Sequence, residues 1–191
     1  MSLKYGLLGL LNYEKMSGYD LDKVFKDSLA FFWQGQTSQI YRELTAMEKS
    51  GWIVSEIEVQ TGKPNKKWYT LSPQGKKEFM DWLAAPEGAV EDLLHVRSSF
   101  LMRLFFAGEL PPEHTAAMLQ KVRAACAEAL ENMSSVPGIV DNYQHMMPDA
   151  ERSRYWRMVM FFGEGYYKAI ARWADSMLWL MKKQAKKEKK K

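Results

Sequence analysis

Between residues 40 and 71 the spacing of apolar residues switches from the helical period to strict alternation, and that switch constrains the fold more than any other feature of the chain. Ile40, Leu44 and Met47 fall at i, i+4 and i+7, one face of a helix. Ile53, Ser55, Ile57 and Val59 then alternate with Val54, Glu56 and Glu58, which is the pattern of a strand. The turn-forming run from Gln60 to Lys66 separates it from a second strand-like run, Lys67 to Leu71, so a two-stranded hairpin is expected directly after the helix. That helix is expected from Thr37 or Ser38 to Lys49, with Gly51 as its C-terminal cap. Upstream, residues 3–13 read as a helix offering Leu7, Leu8, Leu10 and Leu11 to a core. Ser17 then caps a helix that runs to about Ser28 and buries Leu21, Val24 and Phe25, with Asp20 in its first turn. Downstream, Ser72 and Pro73 have the cap and first-turn chemistry of a helix that ends near Ala85.

Beyond a linker at residues 86–91 the pattern is helical throughout. Helices are expected over residues 91–107, stopped by Gly108 and the Pro111-Pro112 pair, and from there to about Ser134. In the second of these Leu119, Val122, Cys126, Ala129 and Met133 repeat at threes and fours, a coiled-coil-like seam. Residues 135–149 read mainly as loop. A final helix over residues 150–183 would span roughly 50 Å, more than a domain of its size needs for its own core. The fold class is therefore mainly α with a small β-hairpin. A three-helix-and-hairpin domain (1–85) precedes an antiparallel helical domain (92–183) and a disordered lysine-rich tail (184–191).

Composition narrows the function. The 191 residues are 47% hydrophobic and 26% charged, as in ordinary globular proteins. The formal net charge is +4, yet the last ten residues alone hold seven lysines against one glutamate, so the basic balance describes a tail and not the folded body. A single cysteine, Cys126, excludes an internal disulfide framework and a zinc site built on several thiolates. His95, His114 and His145 lie on separate segments without a ligand at metal spacing, so no metal or other cofactor is expected. No nucleophile–base pair and no phosphate-binding loop is legible, and an enzyme is not expected. The apolar run Tyr5 to Leu11 is about half the length that crosses a bilayer. The stretch from Met158 to Leu180 is interrupted by Glu164, Lys168, Arg172 and Asp175, so no membrane association and a cytoplasmic location are expected.

What remains is a polar face. Opposite Ile40, Leu44 and Met47 the third helix presents Ser38, Arg42, Thr45 and Lys49, flanked by Tyr41; all can donate hydrogen bonds and none is acidic. Lys63, Lys66 and Lys67 crowd the hairpin tip. Three helices followed by a basic hairpin form the grammar of a winged helix-turn-helix. An α-helix fits the major groove of DNA, arginine reads guanine edges, and lysines of a wing neutralise phosphates beside it. Period alone would also allow a solvated helix face and a solvated hairpin. Order and spacing together favour double-stranded DNA as the partner.

Residues Leu3-Lys4-Tyr5-Gly6-Leu7-Leu8-Gly9-Leu10-Leu11 and Ser17-Gly18-Tyr19-Asp20-Leu21 resemble the opening of PadR-family regulators. Ser38-Gln39-Ile40-Tyr41-Arg42-Glu43-Leu44 and Met47-Glu48-Lys49-Ser50-Gly51-Trp52-Ile53 resemble their recognition helix and its exit. Lys66-Lys67-Trp68-Tyr69-Thr70-Leu71-Ser72-Pro73-Gln74-Gly75 resembles their second wing strand and the helix after it. The likeness is specific over about the first 85 residues. The helical remainder is similar, less distinctively, to the C-terminal domain of virulence-activator-like members. The resemblance implies a homodimeric transcription factor, most often a repressor, and in some members one that releases DNA when a phenolic or other small aromatic effector binds. An activator would use the same surface. By position it implies that Ser38, Tyr41 and Arg42 face the groove and Tyr19 and Lys49 touch backbone. Lys63 and Lys66 would make the wing contacts, with Gly62 allowing the tight turn. Pro64 and Asn65 depart from the loop of many members, and Glu56 and Glu58 must point away from phosphate for the wing to be used.

Two further expectations concern assembly and control. Large apolar side chains lie on more than one side of the last helix, and Met158, Phe162, Tyr166, Trp173 and Met177 form a stripe expected to pair with a second copy, although a large intramolecular core would show the same pattern. Two winged domains on a pseudo-palindromic operator supply the base contacts that one lacks. Phe32 and Trp33, in an aromatic cluster between the second and third helices, are candidates either for packing or for the wall of a flat effector's site. A protein-binding winged module with idle wing lysines is the competing function.

Overall fold

The structure, a computed structural model, describes residues 3–29, 32–33, 35–62, 65–85, 93, 98–134 and 150–188. The chain divides into two compact units: of the described residues, 3–85 fall in the first and 93–134 together with 150–188 in the second.

In the first unit α1 (Leu3–Leu11), α2 (Gly18–Ser28) and α3 (Thr37–Lys49) enclose one core. Leu7, Leu8, Leu10 and Leu11 of α1 meet Leu21, Val24 and Phe25 of α2 and Ile40, Leu44 and Met47 of α3, all buried as their spacing implies. α1 stops two residues short of expectation.

The hairpin is β2 (Ile53–Glu58) and β3 (Lys66–Leu71), antiparallel, with Ile53 opposite Leu71 and Glu58 opposite Lys66. Val59 lies beyond its strand, and Lys66, expected in the turn, opens β3. The sheet has three strands rather than two. β1 (Met16–Ser17) pairs with β3 on its other edge, Met16 against Tyr69 and Ser17 against Trp68, giving the order β1-β3-β2. A two-residue strand leaves no alternation to read, so its existence depends on β3 alone. Ser17 serves two structures at once: it ends β1 and caps α2, its Oγ accepting from the Asp20 N–H at 3.2 Å.

The exit from α3 is a Schellman turn. Gly51, at φ +74°, donates to the Glu48 carbonyl at 3.0 Å, and Trp52 donates to the Met47 carbonyl at 2.9 Å. After β3, Ser72 caps α4 (Pro73–Ala84) by accepting from the Gly75 N–H at 3.0 Å and donates to the Gly51 carbonyl at 2.6 Å. α4 returns to α1: the Tyr5 and Trp82 rings stack with centroids 4.5 Å apart, and Tyr5 donates to Glu78 at 2.9 Å.

The second unit contains α5 (Ser99–Phe105), a short 3-10 turn (Ala107–Glu109), α6 (Pro112–Ser134) and α7 (Ala150–Glu188). α6 and α7 pack antiparallel, with Leu119 against Ala174 and Leu178 and an Arg123–Asp175 ion pair at 3.1 Å. Cys126 is buried on α6, and that burial raises its thiol pKa, as expected of a packed small hydrophobe. Of the helix expected over residues 91–107, residues 99–105 are helical, and most of 86–97 lies outside the described residues, as does the whole loop expected at 135–149. Of the tail expected at 184–191, residues 184–188 continue α7 as helix, nothing between Lys182 and Lys187 breaking the helical run, and residues 189–191 lie outside the described residues.

Candidate nucleic-acid interface

α3 is positioned from both ends. At its start Thr37 Oγ donates to Asp22 of α2 at 3.0 Å, and Lys26 donates both to Asp22 at 2.7 Å and to Thr37 Oγ at 2.6 Å. The Gln39 side chain accepts from the Gln36 N–H at 3.1 Å, so Gln36 is the capping residue. At its finish the Schellman turn leads directly into β2. With the inner face sealed in the core, the outer face has one direction available.

Ser38, Tyr41, Arg42, Thr45 and Lys49 are all exposed on that outer face. Arg42 Nε donates to the Ser38 carbonyl at 3.4 Å, and Thr45 Oγ to the Tyr41 carbonyl at 3.0 Å, so both functional groups lie back along the helix surface. Tyr41 is 43% exposed because its ring leans on the start of α2. A Cβ on Gly18 would lie 2.7 Å from its Cε1, so that position admits only glycine without displacing the ring. Tyr19, beside it, is 70% exposed. Gly62 has φ +76° at the start of the wing turn, as its expected role requires. Lys63 and Pro64 lie outside the described residues.

The wing's charges are arranged differently from the expectation of an open lysine cluster. Lys66 is ion-paired with Asp20 of α2 at 3.2 Å and lies 4.1 Å from the centre of the Trp68 ring. Lys67 is paired with Glu48 of α3 at 2.8 Å, and Ser55 Oγ donates to the other oxygen of the same carboxylate. The Lys67 hydrogen bond and then the Ser55 one hold the Glu48 carboxyl below its ordinary range, and Glu48 in turn raises the Lys67 pKa. Partial burial pushes Asp20 up, but hydrogen bonds from Ser17 and Lys66 outweigh it and the net shift is downward. Glu58 is engaged along the sheet, accepting from Trp68 Nε1 at 2.6 Å and from Gln60 at 3.2 Å, while Glu56 is exposed. Sequence reading missed Asp20 and Glu48 as partners of the wing, and it missed Lys15, whose ammonium lies 5.7 Å from the Trp68 ring. Only the β1–β3 pairing brings Lys15 there, and no local pattern signals it.

The other candidates separate. Phe32 is half exposed, whereas Trp33 is partly buried against the first unit's core and donates its N–H to the Leu29 carbonyl at 2.9 Å. Met158, Phe162 and Tyr166 are more than half exposed on α7. Trp173 and Met177, expected on the same stripe, are partly buried against α6, with Trp173 edge-on to Phe100 at 6.1 Å. Trp173 lies at nearly the same angle around the helix as Phe162 and Tyr166, so what separates them is cover along the helix: Phe100 of α5 and the cluster around Leu119 meet the stripe at Trp173 and Met177. Among the described residues no group of three or more metal-ligating side chains converges, and no helix is long and apolar enough to cross a membrane.

The transcriptional regulator PadR-like family model matches residues 7–81, which include the candidate interface. The virulence activator alpha C-terminal model matches residues 96–182. The negative transcriptional regulator PadR of Bacillus subtilis (strain 168) is 31% identical over 149 residues, spanning 78% of this chain and 77% of that protein. The chain belongs to the PadR-like family of transcriptional regulators. Crystal structures of Bacillus subtilis PadR superpose on this PadR-like chain over most of its length. The complex with operator DNA gives a TM-score of 0.73 at 28% identity, covering 95% of this chain and 99% of that one. The complex with p-coumaric acid gives 0.68 at 27% identity, with the same coverage of both chains. The PadR-like chain thus shares its mainly helical fold and small antiparallel sheet with a regulator whose operator complex is known.

Proposed function

We propose that this PadR-like regulator is a homodimeric repressor that lays α3 in the major groove of a pseudo-palindromic operator and releases it when a small phenolic acid binds. The observation that carries the reading is the outer face of α3, where five hydrogen-bond donors without an acidic residue stand exposed beside a wing. Arg42 and Ser38 would read bases, with Tyr41 and Thr45 at the edge of the groove. Tyr19 and Lys49 would contact phosphate, and Lys63 would follow the backbone from the wing, joined by Lys66 only where an operator phosphate displaces Asp20 from it, with Gly62 shaping the turn. Residues 1–85 would then be the DNA-binding domain and residues 92–183 the domain for dimerisation and effector response. Met158, Phe162 and Tyr166 would form the core of the seam between copies, with Trp173 and Met177 supporting it from the α6 side. The relative's complexes with operator DNA and with p-coumaric acid support both halves of the proposal, and Phe32 and Trp33 are its candidates for the effector's aromatic wall.

The test uses the full chain. A duplex is selected from a randomised pool, and its affinity is compared with that of random duplex by fluorescence anisotropy across a salt series. The expected result is a preference of at least about a thousandfold, a steep fall of both affinities with salt, and weaker operator binding when p-coumarate is added. Equal affinity for the two duplexes would sink the base-reading role. A complex insensitive to salt would favour the protein-binding module, and unchanged affinity with p-coumarate would remove the effector from the proposal.

A further inference from the structure

The two lysines of β3 are held by carboxylates from the two helices that flank the interface. Lys66 Nζ lies 3.2 Å from Asp20 in the first turn of α2, and Lys67 Nζ lies 2.8 Å from Glu48 in the last turn of α3. Each acid is itself anchored to a strand. Asp20 accepts from Ser17 Oγ of β1 at 2.7 Å, and Glu48 accepts from Ser55 Oγ of β2. Exposed ion pairs are weak largely because two long side chains must be ordered together. Here the acid is already fixed and only the lysine has to be ordered, with the Trp68 ring beneath Lys66 and the Tyr69 ring 5.2 Å from Lys67 narrowing its choices further. Among the described residues, Arg42 and Lys49 on α3 have no carboxylate within 4.0 Å. The helix proposed to read bases offers open cations, while Lys66 and Lys67 of the wing are engaged.

That asymmetry bears on specificity. Affinity for random DNA is set by how many phosphates meet cations and by the counterions this releases. A phosphate that reaches Lys66 or Lys67 must displace a carboxylate, which then stands uncompensated beside the DNA, so the exchange gains almost nothing. On an operator, base contacts set the register and the wing meets only the phosphates that register brings to it. On random DNA nothing sets the register, and free cations decide it. We infer that Asp20 and Glu48 are specificity-determining residues: by withholding Lys66 and Lys67 from phosphate they lower affinity for random DNA more than affinity for the operator. The inference rests on the DNA-binding reading above.

Asp20→Asn and Glu48→Gln keep side-chain shape and remove charge. Each is measured in the full-length chain on a selected duplex and on random duplex, alone and combined with Lys66→Gln or Lys67→Gln respectively. Random-duplex affinity is expected to rise about fivefold per variant near physiological salt, with a salt slope steeper by about 0.9, while the selected duplex gains about twofold or less. In the lysine-substituted backgrounds the gains should vanish. The inference is overturned if random-duplex affinity and slope do not change, if both duplexes gain equally, or if the gains persist without the lysines, which would be general removal of negative charge. Because Asp20 and Glu48 lie on different helices, a folding defect in one variant leaves the other to decide. A wild-type chain without preference for any selected duplex overturns the DNA-binding reading and this inference together, whereas wild-type preference with unresponsive variants overturns the inference alone.

Discussion

Arg42 and Lys49 stand on the same exposed face, but their predicted effects differ in kind. A bidentate contact from Arg42 to a guanine would make Arg42→Ala cost about 1–3 kcal/mol of operator affinity and relax preference at one base position. Lys49→Ala should weaken operator and random duplex alike and reduce the salt slope by about one. Binding isotherms on a panel of single-base variants separate the two, and a uniform loss for Arg42→Ala would remove it from base reading. Glu48 makes a different prediction, through pH. Its carboxyl is held below the ordinary 4.5 in the folded state by Lys67 and Ser55, so the folded protein binds the proton less readily than the unfolded chain does. The stability it contributes is present above that ordinary value and is lost as pH falls through the lower folded value. Urea unfolding midpoints between about pH 6 and about pH 3 should therefore fall less in Glu48→Gln than in the wild type. Identical falls would show that the Glu48–Lys67 contact contributes nothing to stability.

Among the elements, the join between the exit of α3 and the start of α4 is the tightest. A Cβ on Gly75 would lie 2.0 Å from the Trp52 carbonyl oxygen, a backbone atom that cannot move without opening the Schellman turn. Gly75→Ala should cost about 3 kcal/mol in denaturant unfolding. Gly62 is the control. Its φ is positive, which that of Gly75 is not, and nothing lies within 4 Å of its notional Cβ, so Gly62→Ala should cost only the left-handed strain of about 1 kcal/mol. Equal costs would mean that the join gives way cheaply and that the close approach at Gly75 is not what holds it. At this scale the sequence was largely legible. The caps at Ser17 and Ser72, the glycine exit at Gly51 and the apolar face of α3 all depend on neighbours within a few residues, and all are found where their chemistry puts them. β1 was not legible, because two residues carry no period.

For the whole molecule, the first half of α7 is where the proposed assembly is tested. Tyr155, Met158, Phe161, Phe162 and Tyr166 are each more than half exposed, a larger apolar band than an isolated helix pair would leave in water. If that band is the seam between two copies, Phe162→Glu should give a monomer in sedimentation and weaken operator binding by at least about a hundredfold, since one half-site no longer tethers the other. A variant that remains dimeric would place the seam elsewhere. By itself the sequence determined most of the helices, the hairpin and the residues of the α3 core face, since each follows from periodicity and capping within a turn or two of chain. Tertiary structure alone decided that β1 flanks β3, that Lys66 and Lys67 are tied to Asp20 and Glu48, and that one side of α7 is open at Phe162 and covered at Trp173. Those outcomes depend on which distant segments meet, and a side chain's local spacing carries no record of its neighbours across the fold.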